Sequence, residues 1–593
     1  MTEPWCKYLT EISEFYPNGI VGTWKGVGVP DSTPSARLQL KQPMTRLLVG
    51  LLCLLRLVPA PVTNLVVLYV ENHSFDHYFG CATAELPGID GLTGNEKQWI
   101  DPNDHSKGSV SIRCGASEYV CQHGPGSSAG RFYDWHKTAI FGAGVPVPDK
   151  GPYPNATMEG FANVTRGDNV VFDMFSPAQL PIKMALAKEF GLFDRFFSSV
   201  PAPSQPNHMF AQSATSCGCT DTGVQYRQCG GTLPLFPQRT IFDSILEAGK
   251  NFALYYDDIP GDIYMTSLLE KTPTHAHTYD AKDKGWYDAA KAGTLPELSW
   301  IVPRYQTSPN DDHPCHDVAL GEALLKQVYE TLRASPQWNS SALFVIYDDS
   351  GGYYDHVPPP TKAPPPESSC DVGPGCPVAF AFDRLGVRLA NLLISPLLPK
   401  GTVIKDPAGP PGTPTRPFND SVYEMSSISA TIKNLFGLPK FLTKRDAWAG
   451  SFHDVFTLTE PRDTPRVLPD PPPPHSPSSL SDDEDDGDDD GDDDWAKQLG
   501  AIAVGRAQHV ARRMKATQPH FAGSEDPSVL TRRQKRWLRW YGTLLGEEEE
   551  AIQTKTNSLS MAEGERWLAD AVQTTMERVK DGSLNHLFRR DEL

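Results

Sequence analysis

The sequence predicts an α/β fold built on a mostly parallel central sheet. Four continuous apolar runs are typical of strands buried on both faces; they lie at 64–70, 298–302, 342–347 and 389–394. Amphipathic helical patterns occur at 317–333 and 427–437, where Asp317 can cap a helix start and Gly437 can end a helix. Strands that alternate with helices are characteristic of layered α/β sheets.

Composition narrows the classes of partner. The chain of 593 residues carries a formal charge of −19, and residues 482–494 contribute eleven acids and two glycines. Without that run the formal charge is −8, so the main body has no strong basic field and a nucleic-acid partner is not expected. The eleven cysteines show no paired zinc-binding pattern, and both short-range disulfides and buried free thiols stay open.

Both ends of the chain carry segments typical of targeting signals. Residues 44–60, MTRLLVGLLCLLRLVPA, resemble a secretory signal peptide that follows an N-terminal extension at 1–43. The last four residues, at 590–593, read RDEL and differ by one basic residue from the KDEL retention signal. We therefore expect residence in the endoplasmic reticulum lumen or the secretory pathway, with a retention receptor as a partner of the C-terminus.

The interval between these ends divides into three parts. Residues 61–460 have the composition of the main folded domain. Residues 461–494 are rich in proline and serine and then in acids, which predicts a disordered linker. Residues 495–593 have an amphipathic pattern with basic patches, which predicts a helical C-terminal region. That region either contacts anionic lipid headgroups peripherally or packs on the main domain.

Oxygen-bearing side chains follow two of the buried runs. Glu71 and Asn72 follow the first run, and Asp348 and Asp349 follow the run at 342–347. Ligands of open α/β sheets bind outside the carboxyl ends of the strands, and hard oxygen ligands suit a divalent cation. The pattern predicts such a site, whereas either pair taken singly is more typical of a turn.

Two further polar segments carry candidate chemistry. Residues 203–218, PSQPNHMFAQSATSCG, contain the hydroxyls of Ser213, Thr215 and Ser216. Residues 310–317, NDDHPCHD, contain three acids and two histidines, which is more than a helix cap requires.

The order of these segments resembles the phosphoesterase family of non-specific phospholipase C and acid phosphatase. The string VVLYVENHSFDHYFG at 66–80 resembles the motif E-N-R-S-F-D-H-Y-F-G, and residues 203–218 resemble P-N-R followed by S-G/A-T-S. Residues 298–317 resemble the N-D-x-H-P motif, and residues 342–360 resemble Y-D-E-H-G-G followed by D-H-V-P. The resemblance covers about 62–455 and is strongest to the non-specific phospholipase C branch of plants and their relatives.

The resemblance implies an alkaline-phosphatase-like three-layer sandwich and a hydroxyl nucleophile that forms a phosphoenzyme. It also implies one divalent metal ion, which would activate the hydroxyl. The implied site residues are Thr215 as nucleophile and metal ligand, Glu71, Asn72, Asp348 and Asp349 as further metal ligands, Asp312 and His313 as catalytic residues, and Asn72, His316 and His123 as phosphate-binding residues.

Several positions depart from the family motifs. Asp349 replaces a glutamate, Ser350 replaces a histidine, and Met425 stands where a histidine usually lies. Loss of histidines near the phosphate predicts lower activity or a changed leaving-group preference. Three functions stay open: hydrolysis of phospholipid headgroups with release of diacylglycerol, hydrolysis of small phosphate monoesters, and lipid binding with weak catalysis or none.

Overall fold

A large, mostly parallel sheet forms the centre of the protein. The computed structural model describes residues 62–121, 132–220, 236, 238–257, 268, 275–279, 285–305, 308–366 and 380–475. The strands of this sheet are β1 (Asn64–Val70), β2 (Gly191–Phe193), β3 (Phe252–Tyr256), β4 (Ala276–Thr278), β5 (Leu298–Ile301), β6 (Ser341–Tyr347), β7 (Leu392–Ile394) and β8 (Thr402–Ile404). Their order is β8-β2-β7-β6-β1-β5-β3-β4, and only β7 runs antiparallel to its neighbours. The predicted α/β class is confirmed.

Seven of the described helices pack in two groups beside the sheet. The helices are α1 (Phe75–Phe79), α2 (Phe132–Phe141), α3 (Phe161–Val164), α4 (Pro181–Glu189), α5 (Ser204–Ser213), α6 (Ile241–Glu247), α7 (Trp286–Ala292), α8 (Val318–Ala334), α9 (Ser426–Leu435) and α10 (Lys444–Trp448). Helices α4 and α7 contact α8, whereas α5, α6 and α10 contact α9, and α2 and α3 contact each other. This grouping fits helices layered against a central sheet. None of the described helices is both long enough and apolar enough to cross a bilayer.

Shorter elements complete the described chain. Three two-stranded pairs join Lys97–Trp99 to Ser109–Ser111, Arg113–Cys114 to Asp173–Met174, and Phe196–Phe197 to Tyr423–Glu424. Single 3-10 turns lie at Gly80–Ala82, His105–Lys107, Val170–Phe172 and Trp338–Ser340.

The predicted elements agree well with the observed ones. Strand β1 matches the run at 64–70, whereas the run at 389–394 becomes a strand only from Leu392. Asp317 caps α8, because its side chain accepts a hydrogen bond of 3.0 Å from the backbone N–H of Ala319. The expected extension, signal segment, acidic run and C-terminal helical region lie outside the described residues.

The start of the expected linker is an ordered strap along α8. The hydroxyl of Tyr329 donates to the carbonyl of Pro465 at 2.5 Å, and Nζ of Lys326 donates to the carbonyl of Leu468 at 2.9 Å. The backbone N–H of His475 donates to Asp317 at 2.7 Å. Disorder from residue 461 was therefore a wrong expectation for 461–475, because α8 supplies donors for the carbonyls of the extended segment.

A buried ion cluster joins α4 to α8. Nζ of Lys183 lies 3.0 Å from Oδ2 of Asp312 and 3.2 Å from Oε1 of Glu322, and the three side chains are almost fully buried. Tyr347 donates to the same oxygen of Asp312 at 2.6 Å. One lysine thus compensates two carboxylates that have no access to bulk water.

We expect Lys183→Met to lower the free energy of unfolding by about 3–5 kcal/mol, because it leaves two buried carboxylates without their cation. Urea unfolding of both proteins measures the change. The control is Lys188→Met, since Lys188 is an exposed residue of the same helix. Equal effects of the two substitutions would contradict the role of the ion cluster.

A second buried network lies around Arg388. Its guanidinium contacts Asp76 at 3.0 Å and Asp355 at 2.9 Å, and Nδ1 of His356 lies 2.7 Å from the other oxygen of Asp76. Partial burial opposes protonation of His356, but the hydrogen bond and charge of Asp76 outweigh it and raise the pKa of His356 to about 9. Nε2 of His356 also lies 3.3 Å from Asp90. The network links α1 to the segments that follow β6.

The stabilising effect of His356 should depend on pH. Its folded-state pKa of about 9 exceeds the ordinary value of 6.5, so the contribution is complete below about pH 6.5 and is lost as the pH rises through 9. We expect His356→Gln to lower the urea midpoint more at about pH 6 than at about pH 10. His105→Gln, at an exposed histidine, is the control. A difference between wild type and His356→Gln that is the same at both pH values would refute this expectation.

Candidate active site

The predicted metal-ligand residues meet at the carboxyl ends of β1 and β6. These strands are adjacent and parallel, and Val70 pairs with Tyr347, so the residues that follow each strand lie side by side. The backbone N–H of Asn72 donates to Oδ1 of Asp348 at 3.0 Å. Gly351 lets the segment after β6 lie close to the backbone of Asn72. Its φ is +61°, and a Cβ at this position would lie 2.4 Å from the carbonyl oxygen of Asn72.

The carboxylates of this centre are buried and repel one another. Burial and the charge of Asp348 raise the pKa of Glu71 to about 7, and the same causes raise the pKa of Asp349 well above its ordinary value. Burial also opposes ionisation of Asp348, but the hydrogen bond and charge of His208 lower its pKa. Ionisation of all three carboxylates would therefore require a cation between them.

The position of the Asn72 side-chain amide indicates whether a cation fits between the carboxylates. Its oxygen lies 2.9 Å from Oε2 of Glu71 and 2.7 Å from Oδ1 of Asp348. Oxygens this close repel unless the amide is reversed or a cation lies among them. If a cation lies among the oxygens, the amide oxygen of Asn72 joins the carboxylates as a further hard ligand. A set of oxygen ligands is what divalent cations such as Ca²⁺ and Mg²⁺ prefer. The residues present thus fit a divalent cation.

The hydroxyl that reaches this centre belongs to Ser204. Its Oγ lies 3.0 Å from Oε2 of Glu71, 3.2 Å from Oδ1 of Asn72 and 3.4 Å from Oδ2 of Asp349. Ser204 is the first residue of α5, where the backbone N–H groups of the helix start favour negative charge. Sequence reasoning missed this residue, although its position between Pro203 and the Pro206-Asn207 pair marks a helix start.

Thr215 lies elsewhere, which corrects the expected position of the nucleophile. Helix α5 runs from Ser204 to Ser213 and ends at Ala214, whose φ of +56° turns the chain away. At 1.5 Å per residue, the end of α5 at Ser213 lies roughly 13 Å along the helix axis from Ser204, and Thr215 follows beyond that end. Its hydroxyl accepts the backbone N–H of Cys217, and among the described residues it makes no hydrogen bond with the carboxylate centre. One ion cannot contact both hydroxyls.

His208 joins the same centre and was also missed. It lies one turn after Ser204 on α5, and its Nε2 is 3.2 Å from Oδ2 of Asp348 and 3.5 Å from Oε1 of Glu71. Its ring packs against Tyr69, with centroids 4.2 Å apart. The available signal was the departure from P-N-R in the motif, which reads Pro206-Asn207-His208 here.

The loop before α8 delivers two histidines to the same edge of the sheet. Nε2 of His313 lies 3.1 Å from the side-chain amide of Asn72. Asp311 accepts the backbone N–H of His313 at 3.0 Å and pairs with Nδ1 of His316 at 2.7 Å. Asp311 thus orients the loop, a role that the sequence did not assign.

Asp312 does not face the carboxylate centre, contrary to the catalytic role expected of it. With a φ of +71°, its side chain turns into the ion cluster of Lys183 and Glu322 instead. Gly321 on α8 leaves the space, since a Cβ there would lie 1.6 Å from Oδ1 of Asp312. Burial raises the pKa of Asp312, and Lys183 opposes that rise. Its position is that of a structural support for the loop.

A disulfide holds the histidine loop from the other side. Cys121 bonds to Cys315, which lies between His313 and His316, across a sequence separation of 194 residues. A second disulfide joins Cys81 to Cys114. The open question between disulfides and free thiols is thus resolved for these four residues, and one of the pairs is long-range. His123 lies outside the described residues.

The two positions that lack histidines are filled differently. Ser350 is buried, and its Oγ lies 3.4 Å from Nε2 of His136, a residue of α2. Burial lowers the pKa of His136 to about 3, so this imidazole is neutral at pH 7. Met425 is buried and accepts a weak hydrogen bond from Tyr69 at 3.9 Å.

Comparisons with known proteins identify the family. The Phosphoesterase family profile matches residues 62–439. The chain is 42% identical to non-specific phospholipase C1 of Arabidopsis thaliana over 426 residues, covering 70% of this chain and 74% of that protein. It is 39% identical to non-specific phospholipase C3 of the same plant, covering 70% and 77%. Phospholipase C A of Mycobacterium tuberculosis (strain H37Rv) is 26% identical, covering 68% and 79%.

Likeness to solved structures is much lower. A protein of the alkaline phosphatase superfamily from Vibrio parahaemolyticus aligns with a TM-score of 0.27 and 13% identity, covering 46% of this chain and 64% of that chain. The expected alkaline-phosphatase-like architecture therefore rests on the observed sheet and on family membership. With a profile match across most of the described chain and relatives near 40% identity, the protein belongs to the Phosphoesterase family, whose members hydrolyse phosphoric esters.

Proposed function

We propose that the protein hydrolyses phospholipid headgroups as a phospholipase C, with Ser204 as the nucleophile. The observation that carries this proposal is the position of Oγ of Ser204, within 3.0–3.4 Å of Glu71, Asn72 and Asp349. The names of the relatives, non-specific phospholipase C and phospholipase C, supply the substrate class.

The residues of the site divide the chemistry between them. A divalent cation held by Glu71, Asn72, Asp348 and Asp349 would supply positive charge that favours the alkoxide form of the serine. Oγ of Ser204 attacks the phosphorus, diacylglycerol leaves, and the headgroup phosphate stays bonded to Ser204. Water then releases the phosphorylated headgroup and frees the serine.

His313 is the proposed proton carrier. It lies beside Asn72 at the edge of the centre and can carry the proton released by the Ser204 hydroxyl to the leaving glycerol oxygen, then carry a proton from the attacking water back to Ser204. Asp311 and the Cys121–Cys315 disulfide hold the loop that carries it. His316, paired with Asp311, remains a proposed phosphate-binding residue.

Location in the secretory pathway is also a proposal. Two disulfides in the described chain support it, because disulfides persist in oxidising compartments. The signal-like segment at 44–60 and the terminal RDEL lead to the same expectation.

We expect Ser204→Ala to lower the rate of phosphocholine release from phosphatidylcholine by at least about 10³-fold, because it removes the attacking atom. Thr215→Ala, the matched control, should retain activity within about tenfold, since the one hydrogen bond of the Thr215 hydroxyl within the described part of the chain is accepted from the backbone N–H of Cys217. Ser204→Thr keeps a hydroxyl and should retain more activity than Ser204→Ala. Mass spectrometry of acid-quenched enzyme should detect the headgroup phosphate on Ser204.

The same proteins separate the competing functions. Faster turnover of p-nitrophenyl phosphate than of phosphatidylcholine would identify a phosphomonoesterase. Equal residual rates in wild type and Ser204→Ala on both substrates would identify a non-catalytic lipid-binding protein. Loss of activity in Thr215→Ala, with activity retained in Ser204→Ala, would identify Thr215 and not Ser204 as the nucleophile.

A further inference from the structure

We infer that His208 is a nitrogen ligand of the cation site and that the site selects a divalent transition-metal ion over Ca²⁺ or Mg²⁺. The inference rests on the proposed function, because it concerns the same centre. It adds an imidazole to a ligand set that the family motifs give as oxygen alone.

The distances around His208 are those of neighbouring ligands on one ion. Its Nε2 lies 3.2 Å from Oδ2 of Asp348 and 3.5 Å from Oε1 of Glu71. Two ligand atoms that are each about 2.1 Å from one ion lie roughly 3.0–3.4 Å apart in octahedral or tetrahedral geometry. One atom from each of these three residues can thus approach a common point, and all three side chains are buried.

The fold holds His208 in this orientation. It lies four residues after Ser204, so both side chains project from the same face of α5 towards Glu71. Oε1 of Glu71 faces His208, whereas Oε2 faces Ser204. Packing against Tyr69 restrains the imidazole plane, and Tyr69 is itself restrained by its contact with Met425. A ligand held in place before metal binding loses little conformational freedom when the ion arrives.

The mixed donor set determines which ions bind well. Ca²⁺ and Mg²⁺ prefer oxygen ligands, whereas imidazole nitrogen favours Zn²⁺, Fe²⁺ and other transition-metal ions. An arginine, the residue of the family motif, would place a fixed charge against Glu71 and Asp348 and could not ligate a metal. Histidine at position 208 therefore provides a nitrogen atom that can ligate a metal, in place of the permanent positive charge of an arginine.

A protonated His208 in an ion pair with Asp348 and Glu71 is the rival interpretation. It would have similar distances and would neutralise part of the carboxylate charge. The two differ in one observable, which is a bond between the imidazole nitrogen and the metal.

The test uses the full chain, stripped with a chelator and reloaded with Mn²⁺. Pulsed electron paramagnetic resonance should detect a directly bound nitrogen in the wild type, and His208→Gln should lose that signal. Calorimetry should show Zn²⁺ affinity at least about tenfold lower in His208→Gln and in His208→Arg. Ca²⁺ affinity should change less than about threefold in His208→Gln. His105→Gln should match the wild type in every measurement, since His105 is exposed.

Absence of a bound nitrogen in the wild type overturns the inference and needs no variant. Equal losses of Zn²⁺ and Ca²⁺ affinity in His208→Gln also overturn it, because they indicate a supporting role. Hydrolysis of phosphatidylcholine by stripped protein that binds no cation would end both the inference and the proposed role of the cation, and would leave the phospholipase C activity with Ser204 as nucleophile standing. Zn²⁺ binding that depends on His208, in a protein without hydrolytic activity, would support the inference and refute the proposed function.

Discussion

The crowding of three buried carboxylates at the ends of β1 and β6 is the constraint on which the rest of the site depends. The parallel register of the two strands forces Glu71 to lie beside Asp348, and no local adjustment can separate them. Desolvation and mutual repulsion make this arrangement unfavourable unless positive charge lies among the oxygens. The surrounding elements can be understood as supports for that charge.

Other buried acids in the described chain are compensated differently. Lys183 neutralises Asp312 and Glu322, and Arg388 neutralises Asp76 and Asp355. These cations are covalently part of the protein and therefore permanent. Within the described ranges, no lysine or arginine pairs with Glu71, Asp348 or Asp349, whose partners there include Asn72, Ser204, His208 and the backbone N–H of Gly351. A permanent cation would occupy the position that a catalytic ion requires.

Compared with the family motifs, the carboxylate centre lacks histidines at two positions but has imidazoles at others. Ser350 and Met425 occupy positions where histidines are usual, yet His208 enters from α5 and His136 lies beside Ser350. His313 and His316 keep their loop, which Asp311 and a disulfide restrain. Residues that lie far apart in the sequence therefore contribute imidazoles to one region of the structure. Their combined effect on proton transfer depends on the tertiary arrangement of the whole set.

The sequence alone determined the sheet, the helix at 318–334 and the pairs Glu71-Asn72 and Asp348-Asp349, because hydrophobic periodicity and strand ends are local properties. It could not choose between Ser204 and Thr215, which share one polar segment. Only the helix between them decides which hydroxyl lies near the carboxylates. Nor could the sequence tell which of Asp311 and Asp312 faces the site. The positive φ of Asp312 turns these neighbouring side chains in opposite directions, and sequence order does not reveal that conformation. The tertiary structure decided these roles, since ligation depends on distances in space that sequence order does not fix.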